Sequence, residues 1–407
     1  MRFLIFSNLY RPEPTGVGPM SGGLADALRR AGHEVHVVAA NPSYPDWKLF
    51  PGYSPWAWTE REEDGVHVHR VPVFIPSKVR GVTRMLHYTS FVAASAFPAV
   101  KLALSFKPDV VLLVAPTLLA APLALACAKL AKAASWVHVQ DFEVEAGFTT
   151  GELNKSGPVA KAALAYERAV LGSFDRASSI SPEMCARLVA KGVAANRVYE
   201  LRNWADIEGI VPLPSSGYRE EFGIGTPHVV LYSGALAGKQ GLETIPRTAR
   251  LLAGRGDVTF VVCGRGPSRA MLEEAAARLP NLVVADLQPK ERLGELMALA
   301  TVHILPQRKD AADLVLPSKL ANMLASGRPV VAGAAPGTGL AREVEGVGVV
   351  CEPENAQAFA TAIAELLDRP DERLRLGQTA RERAVSRWSQ RQIVDRFVSE
   401  LAGPGER

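Results

Sequence analysis

Residues 1–40 read MRFLIFSNLYRPEPTGVGPMSGGLADALRRAGHEVHVVAA, and the order of apolar runs within them decides the fold. A short apolar run over 2–8 has strand character. A loop with Pro12, Pro14, Gly16 and Gly18 follows, then a helical period over 20–31 and a second apolar run over 34–40. That is a βαβ opening. Short apolar runs return at 66–73, 110–115, 135–139, 177–180 and 198–201, with helical stretches between most of them. Alternation of this kind predicts a parallel, doubly wound α/β sheet.

Between 203 and 228 the pattern fails. Pro212, Pro214, Gly217, Gly223, Gly225 and Pro227 crowd a stretch with no sustained apolar period, which reads as a linker. Alternation then restarts, with strands at 229–233, 258–263, 282–285, 302–305, 329–332 and 348–351 and helices between them. Two Rossmann-like domains are predicted, an N-terminal one over 1–205 and a C-terminal one over 206–387. An amphipathic helix within 388–407 is expected to pack back toward the first domain.

Composition agrees with this division. At roughly 100 to 200 residues per domain, 407 residues suit two. Hydrophobic residues make up 48% and charged residues 22%, ordinary for a globular protein. The 46 Lys and Arg against 42 Asp and Glu leave a net charge of +4, too balanced for a nucleic-acid binder. Cys127, Cys185, Cys263 and Cys351 are widely spaced, so neither a zinc site nor a disulfide framework is signalled and a reducing cytoplasm fits. Residues 1–10 lack the apolar stretch and cleavage site of a signal peptide, so no secretory leader is expected.

Ligands of open α/β sheets bind where strands end, so the loops after strands carry the chemistry. Gly16 and Gly18 precede a helix and let backbone amides approach an anion. The loop is too long for a dinucleotide fingerprint, and Ala39-Ala40-Asn41 ends the second strand without the acid that holds a ribose. Residues 233–241, SGALAGKQG, place Gly234, Lys239 and Gln240 between a strand and a helix, where a lysine can neutralise a diphosphate; a solvated surface lysine is the plain alternative. Residues 310–322, DAADLVLPSKLAN, put Pro317 at a helix start. There Ser318 and nearby amides can hold an anion, Lys319 adds a charge, and Asn322 lies one turn on, within reach of a ribose hydroxyl. Ordinary capping would also produce that pattern.

Taken together, RPEPTGVG, GHEVHVV, NPSYPDW, HVQDFEVEA, SGALAGKQGLE, CGRGP, QRKDAADLVLPSKL and ASGRPVVA resemble family 4 glycosyltransferases in order and spacing across nearly the whole chain. The likeness is strongest to the colanic acid biosynthesis group that transfers fucose or N-acetylfucosamine. It implies the GT-B arrangement, two Rossmann-like domains facing a central cleft, with an acceptor-binding N-terminal and a donor-binding C-terminal half. Lys239 would hold the donor diphosphate, and Gly16 and Gly18 would lie beside the transferred sugar. Asn322 stands where many members carry the second acid of a Glu-x7-Glu motif, and Asp313 is the acid nearest to the first. Many members pair an arginine with the lysine where this chain has Ala235, which points to Lys319 or to Arg265, next to Gly264, for the missing charge.

For the acceptor, the resemblance directs attention to Asp141, which can orient or deprotonate a hydroxyl, with Glu143 and Glu145 as rivals. Acids capping the next helix are the structural alternative. Developing charge on the leaving diphosphate would be stabilised by Lys239, Lys319 and helix N-termini. No cofactor and no metal are expected, since the chain lacks an Asp-x-Asp. Retention of configuration follows from the resemblance alone. The donor would be GDP- or UDP-linked, the acceptor a polyprenyl-diphosphate-linked saccharide. Lys78, Arg80, Arg84, Lys101 and Lys107 flank an apolar stretch over 85–106 that Pro98 and Lys101 interrupt, which suggests peripheral contact with anionic lipid rather than a span. A GT-B sugar-nucleotide epimerase is the closest rival reading, and a Rossmann dehydrogenase a more distant one.

Overall fold

Phe3, Leu4, Ile5 and Phe6 have no exposed surface, because β1 (Arg2–Ser7) is covered on both faces, as a central parallel strand must be. The computed structural model describes residues 1–14, 16–78, 81–144, 157–236, 240–309 and 318–402. On one side β1 pairs with β2 (Glu34–Ala40), Ser7 opposite Ala39; on the other it pairs with β5 (Val110–Ala115), Ser7 opposite Val114. The remaining strands are β3 (Thr59–Glu63), β4 (Val66–Val71), β6 (Ala134–Val139), β7 (Arg176–Ser179) and β8 (Val198–Glu200), in the order β3-β4-β2-β1-β5-β6-β7-β8. All neighbours are parallel except β3 with β4. The edge strand β3 is polar on both faces and so has no apolar signature. Asp64 and Gly65, at φ 52° and 78°, form the tight turn that closes its hairpin.

The second sheet contains β9 (His228–Ser233), β10 (Val258–Cys263), β11 (Leu282–Ala285), β12 (Val302–Leu305), β13 (Val330–Gly333) and β14 (Gly348–Cys351). Its order is β11-β10-β9-β12-β13-β14, parallel throughout. The chain thus forms two compact units, Met1–Arg202 together with the segment from Val394 onward, and Asn203–Ile393. In the first unit Phe397 meets Trp136 edge to face at 4.8 Å, and the Trp136 indole N–H donates to Ser178 Oγ at 2.8 Å. Truncating a buried aromatic of this kind costs about 3–5 kcal/mol.

Three elements differ from what the sequence predicts. The stretch 203–228, read as a linker, packs onto the second unit. Ile210 and Tyr218 are buried there, Arg292 lies over the Tyr218 ring at 4.0 Å, and Arg381 Nη1 donates to Ile210 O at 2.7 Å. Prolines and glycines remove the period without removing the apolar anchors. A helix over Pro370–Trp388 was not expected, because it buries only a narrow stripe of Leu376, Gly377, Ala380, Ala384 and Trp388 under an otherwise polar surface.

The third is α2 (Gly81–Ser105), which runs unbroken through Pro98. Proline has no N–H to donate to the carbonyl one turn back, Ala94 O. That carbonyl instead accepts from Trp58 Nε1 at 2.9 Å, which pins the exposed Trp58 ring along the helix. None of the described helices is long and apolar enough to cross a membrane.

Candidate functional site

In each sheet the strand order reverses at one place, and loops leaving the two strands there diverge to open a crevice. The reversal falls between β9 and β12 in the second unit and between β1 and β5 in the first.

At the β9 exit Gly234 adopts φ 140° and donates from its amide to Cys263 O at 2.9 Å. A side chain at Gly234 would come within 2.9 Å of Lys319 Nζ, and one at Gly264 within 2.0 Å of Gly234 O, so both glycines are required for close approach. The Leu236 amide donates to Arg265 O at 2.8 Å, which fastens the β9 and β10 exits together. Onto this base helix Ser318–Ala325 delivers Lys319. Its ammonium donates to Tyr232 Oη at 2.5 Å, lies 3.4 Å from Gln240 Oε1 and 3.5 Å from Ala235 O, and sits 4.5 Å from the Tyr232 ring centroid. Tyr232 Oη donates to Ala235 O at 2.8 Å, and burial holds that hydroxyl protonated far above the usual phenol range. The result is one cation fixed in orientation at the crevice of the second unit.

Of the residues read from sequence, Gly234, Gln240, Gly264 and Lys319 come together here. Arg265 is exposed on the adjoining loop, and Asn322 is half-buried one turn beyond Lys319. Lys239, Asp313 and Pro317 lie outside the described residues, as do Glu145, Arg80 and the Ser318 side chain. Tyr232 was not foreseen, since within a strand it reads as core. Arg308 and Glu243, paired at 3.0 Å beside the same loop, were also missed.

The first unit holds a different arrangement. Gly16, at φ 71°, brings the loop against Tyr44, whose Cε1 would lie 3.2 Å from a side chain there. Gly18 opens α1 (Gly18–Arg30) against Glu13. The Glu13 carboxylate accepts from the amides of Tyr10 at 3.0 Å and of Ser43 and Tyr44 at 2.9 Å, tying the β1 and β2 exits together. Burial raises its pKa, against those three hydrogen bonds. Asn8, just past β1, approaches His87 Nε2 through Nδ2 at 3.1 Å, and His87 Nδ1 approaches Phe74 O at 2.7 Å. Trp47 meets His87 edge to face at 5.2 Å and Tyr44 at 6.2 Å.

Asp141 is exposed at the β6 exit. Glu143 turns inward: one carboxylate oxygen accepts from the Thr117 amide and the other from the Leu118 amide at 3.3 Å. It therefore clamps the β5 exit to the β6 exit. Burial pushes its carboxyl up to about 7, outweighing the two amides that lower it. His138 is buried and neutral, depressed to about 3 by burial, with Gln140 Nε2 2.9 Å from its Nε2.

Outward along α2, Val82, Leu86, Phe97 and Leu104 form an exposed apolar stripe with Lys101 between the last two. Phe97 is 78% exposed and Trp56, near Trp58, is 82% exposed.

Comparison with known proteins accords with this fold. Residues 15–204 match the family described as Glycosyl transferase 4-like domain, and residues 216–383 match Glycosyl transferases group 1. The putative colanic acid biosynthesis glycosyl transferase WcaI of Escherichia coli K12 is 34% identical over 414 residues, covering 99% of this chain and 100% of that protein. A GDP-mannose-dependent alpha-mannosyltransferase of Mycolicibacterium smegmatis is 28% identical over 400 residues, with 95% and 93% covered. Among solved structures, Anabaena Alr3699/HepE in complex with UDP has a TM-score of 0.71 at 16% identity, covering 99% of this chain and 100% of that one. At that identity the likeness shows the fold alone, which is GT-B.

Proposed function

This chain belongs to the group 1 glycosyltransferases with a Glycosyl transferase 4-like N-terminal domain, and from that premise we propose that it transfers a sugar from a nucleoside diphosphate to a lipid-linked saccharide in cell-surface polysaccharide assembly. The observation that carries the reading is the Lys319 ammonium, fixed by Tyr232 and Gln240 at the crevice of the second unit. A pre-oriented cation stabilises charge that develops on a departing diphosphate without reorganising during the reaction. To this cation we add roles read from the sequence: Lys239 as a second charge on the diphosphate, Gly234, Gln240, Gly264, Arg265, Pro317 and Ser318 as donor-binding residues, and Asn322 with Asp313 for the ribose. On the acceptor side Asp141 orients the attacking hydroxyl, and Gly16 and Gly18 border the transferred sugar. The reaction needs no metal and retains the anomeric configuration.

The transferred sugar is fucose or an N-acetylated deoxysugar on a GDP or UDP carrier, with GDP-fucose the favoured donor. The names of two relatives divide on the base, since the mycobacterial relative is GDP-mannose-dependent and HepE holds UDP. A thermal-shift panel of GDP, UDP, ADP and dTDP decides it, because a ligand at a hundredfold its Kd stabilises the native state by about 2.7 kcal/mol. GDP is expected to raise the Tm most; a panel in which none does contradicts the reading. Neither the epimerase nor the dehydrogenase finds support among these relatives.

The α2 stripe, with Trp56 and Trp58 beside it and Lys78 and Lys107 exposed nearby, supports peripheral contact with anionic lipid on the cytoplasmic face. Such contact would bring the enzyme to a polyprenyl-linked acceptor.

A further inference from the structure

Asp141 stands exposed at the β6 exit, yet the two residues that follow it are held from beneath. Phe142 is 3% exposed, and the Lys191 ammonium lies 5.0 Å from the centroid of its ring, within the range of a cation–π contact. That ammonium donates to Glu167 Oε2 at 2.5 Å, and Glu167 is itself buried. Glu143 accepts from the amides of Thr117 and Leu118. Tyr166, beside Glu167 on the helix Pro158–Ser173, donates from its hydroxyl to Leu118 O at 3.1 Å. All of these contacts lie within the first unit.

A buried ion pair is a poor source of stability. Removing both ions from water offsets most of their attraction, so two apolar side chains of similar volume often serve a fold as well or better. What the Lys191–Glu167 pair does provide is direction, since each ion fixes the other and the ammonium fixes the ring above it. Lys191 follows the helix Pro182–Ala190, where the last carbonyls favour a cation, and its own amide donates to Arg187 O at 2.9 Å. Glu167 carries the same charge as Glu143 and raises its pKa. By neutralising Glu167, Lys191 relieves a repulsion that works against the grip of Glu143 on its two amides. Thr117, at φ 111°, is strained backbone of the kind that persists only where its surroundings over-determine it. Glu143 on its amide and Tyr166 on the next carbonyl do so.

We infer that the Lys191–Glu167 pair is a positioning device for the β6 exit: through the Phe142 ring that lies over Lys191, it fixes the backbone from which Asp141 projects. Lys191 and Glu167 are positioning residues, because both are buried and reach the exit only through Phe142. The consequence for turnover rests on the reading of Asp141 as the group that orients the acceptor hydroxyl; the order of the segment rests on these contacts alone.

The test sets stability against local order in the full chain. In a variant carrying both Lys191→Leu and Glu167→Leu, the melting temperature should be no lower than in the wild type. Hydrogen exchange of the amides of 141–143 should nevertheless run about tenfold faster, and kcat should fall by a factor on the order of 10 to 10² at unchanged donor KM. Lys191→Arg keeps both the ion pair and the cation over the ring, and should behave as the wild type in all three measurements. A folded double variant with wild-type exchange at 141–143 overturns the inference. If the double variant does not fold, Phe142→Leu decides: it leaves the ion pair in place and should speed the same exchange, and wild-type exchange there overturns the inference as well. Faster exchange in the double variant together with full activity of Asp141→Asn would instead defeat the reading of Asp141 and leave the positioning device standing.

Discussion

The two sheets reverse their strand order in the same manner, yet their crevices are built from opposite materials. At β9 and β12 the chain supplies a lysine ammonium held by a phenol, a side-chain amide and a carbonyl, over glycines that admit no side chain. At β1 and β5 it supplies a neutral imidazole, a carboxamide and two aromatic rings, with the nearby carboxylates of Glu13 and Glu143 turned onto backbone amides. Shared topology decides where a ligand sits; the residues after each strand decide its charge. On the proposed reading the second unit is prepared for an anion, whereas the groups at this crevice of the first are neutral or already engaged by backbone amides.

The largest effects that could break this contrast are at the two lysines of the donor side, Lys239 and Lys319. Lys319→Ala should lower kcat by a factor on the order of 10² to 10³, as the loss of one pre-oriented transition-state partner does elsewhere. Initial rates with saturating donor check it, and activity near wild type would remove the anion assignment. Lys239→Ala should abolish turnover while leaving the melting temperature unchanged.

Gly264→Ala comes next. A methyl group there would fall 2.0 Å from Gly234 O, so the β9 and β10 exits must separate, at a cost of about 1–3 kcal/mol. The expected result is a lower Tm and weaker nucleotide binding.

Phe97→Asp should reduce flotation with anionic vesicles at low salt and leave donor hydrolysis intact, since the side chain is 78% exposed on α2 and, among the described residues, packs against no site residue of its own unit. Unchanged flotation would remove the membrane surface from the account.

The smallest effect concerns Glu143. Its carboxyl is raised from 4.5 in the unfolded chain to about 7 when folded, so the native state binds the extra proton between those values. Stability from this group is full below about pH 4.5 and falls as pH rises through about 7. Glu143→Gln should flatten that portion of the Tm-against-pH curve, and a parallel pair of curves would show that the clamp is not titrating.

Much of this was legible in the sequence, for identifiable reasons. Strands buried on both faces are nearly continuous apolar runs, so β1, β5, β9 and β10 announce themselves. Lys319 was found because helix-start chemistry is local. The helix Pro370–Trp388 was not, because small residues such as Gly377 and Ala384 make its buried stripe without marking it as apolar. Asn8 and His87 are 79 positions apart and meet only through the packing of α2 on the sheet. Tyr232 was hidden because a buried tyrosine in a strand looks like core until a lysine is seen donating to it.

The central claim is that the Lys319 ammonium faces the phosphates of the donor. Calorimetric titration of GDP and GMP into the wild type and Lys319→Ala tests it directly. The account predicts that the wild type prefers the diphosphate and that the preference largely disappears in the variant, while a preference of equal size in both proteins would contradict it.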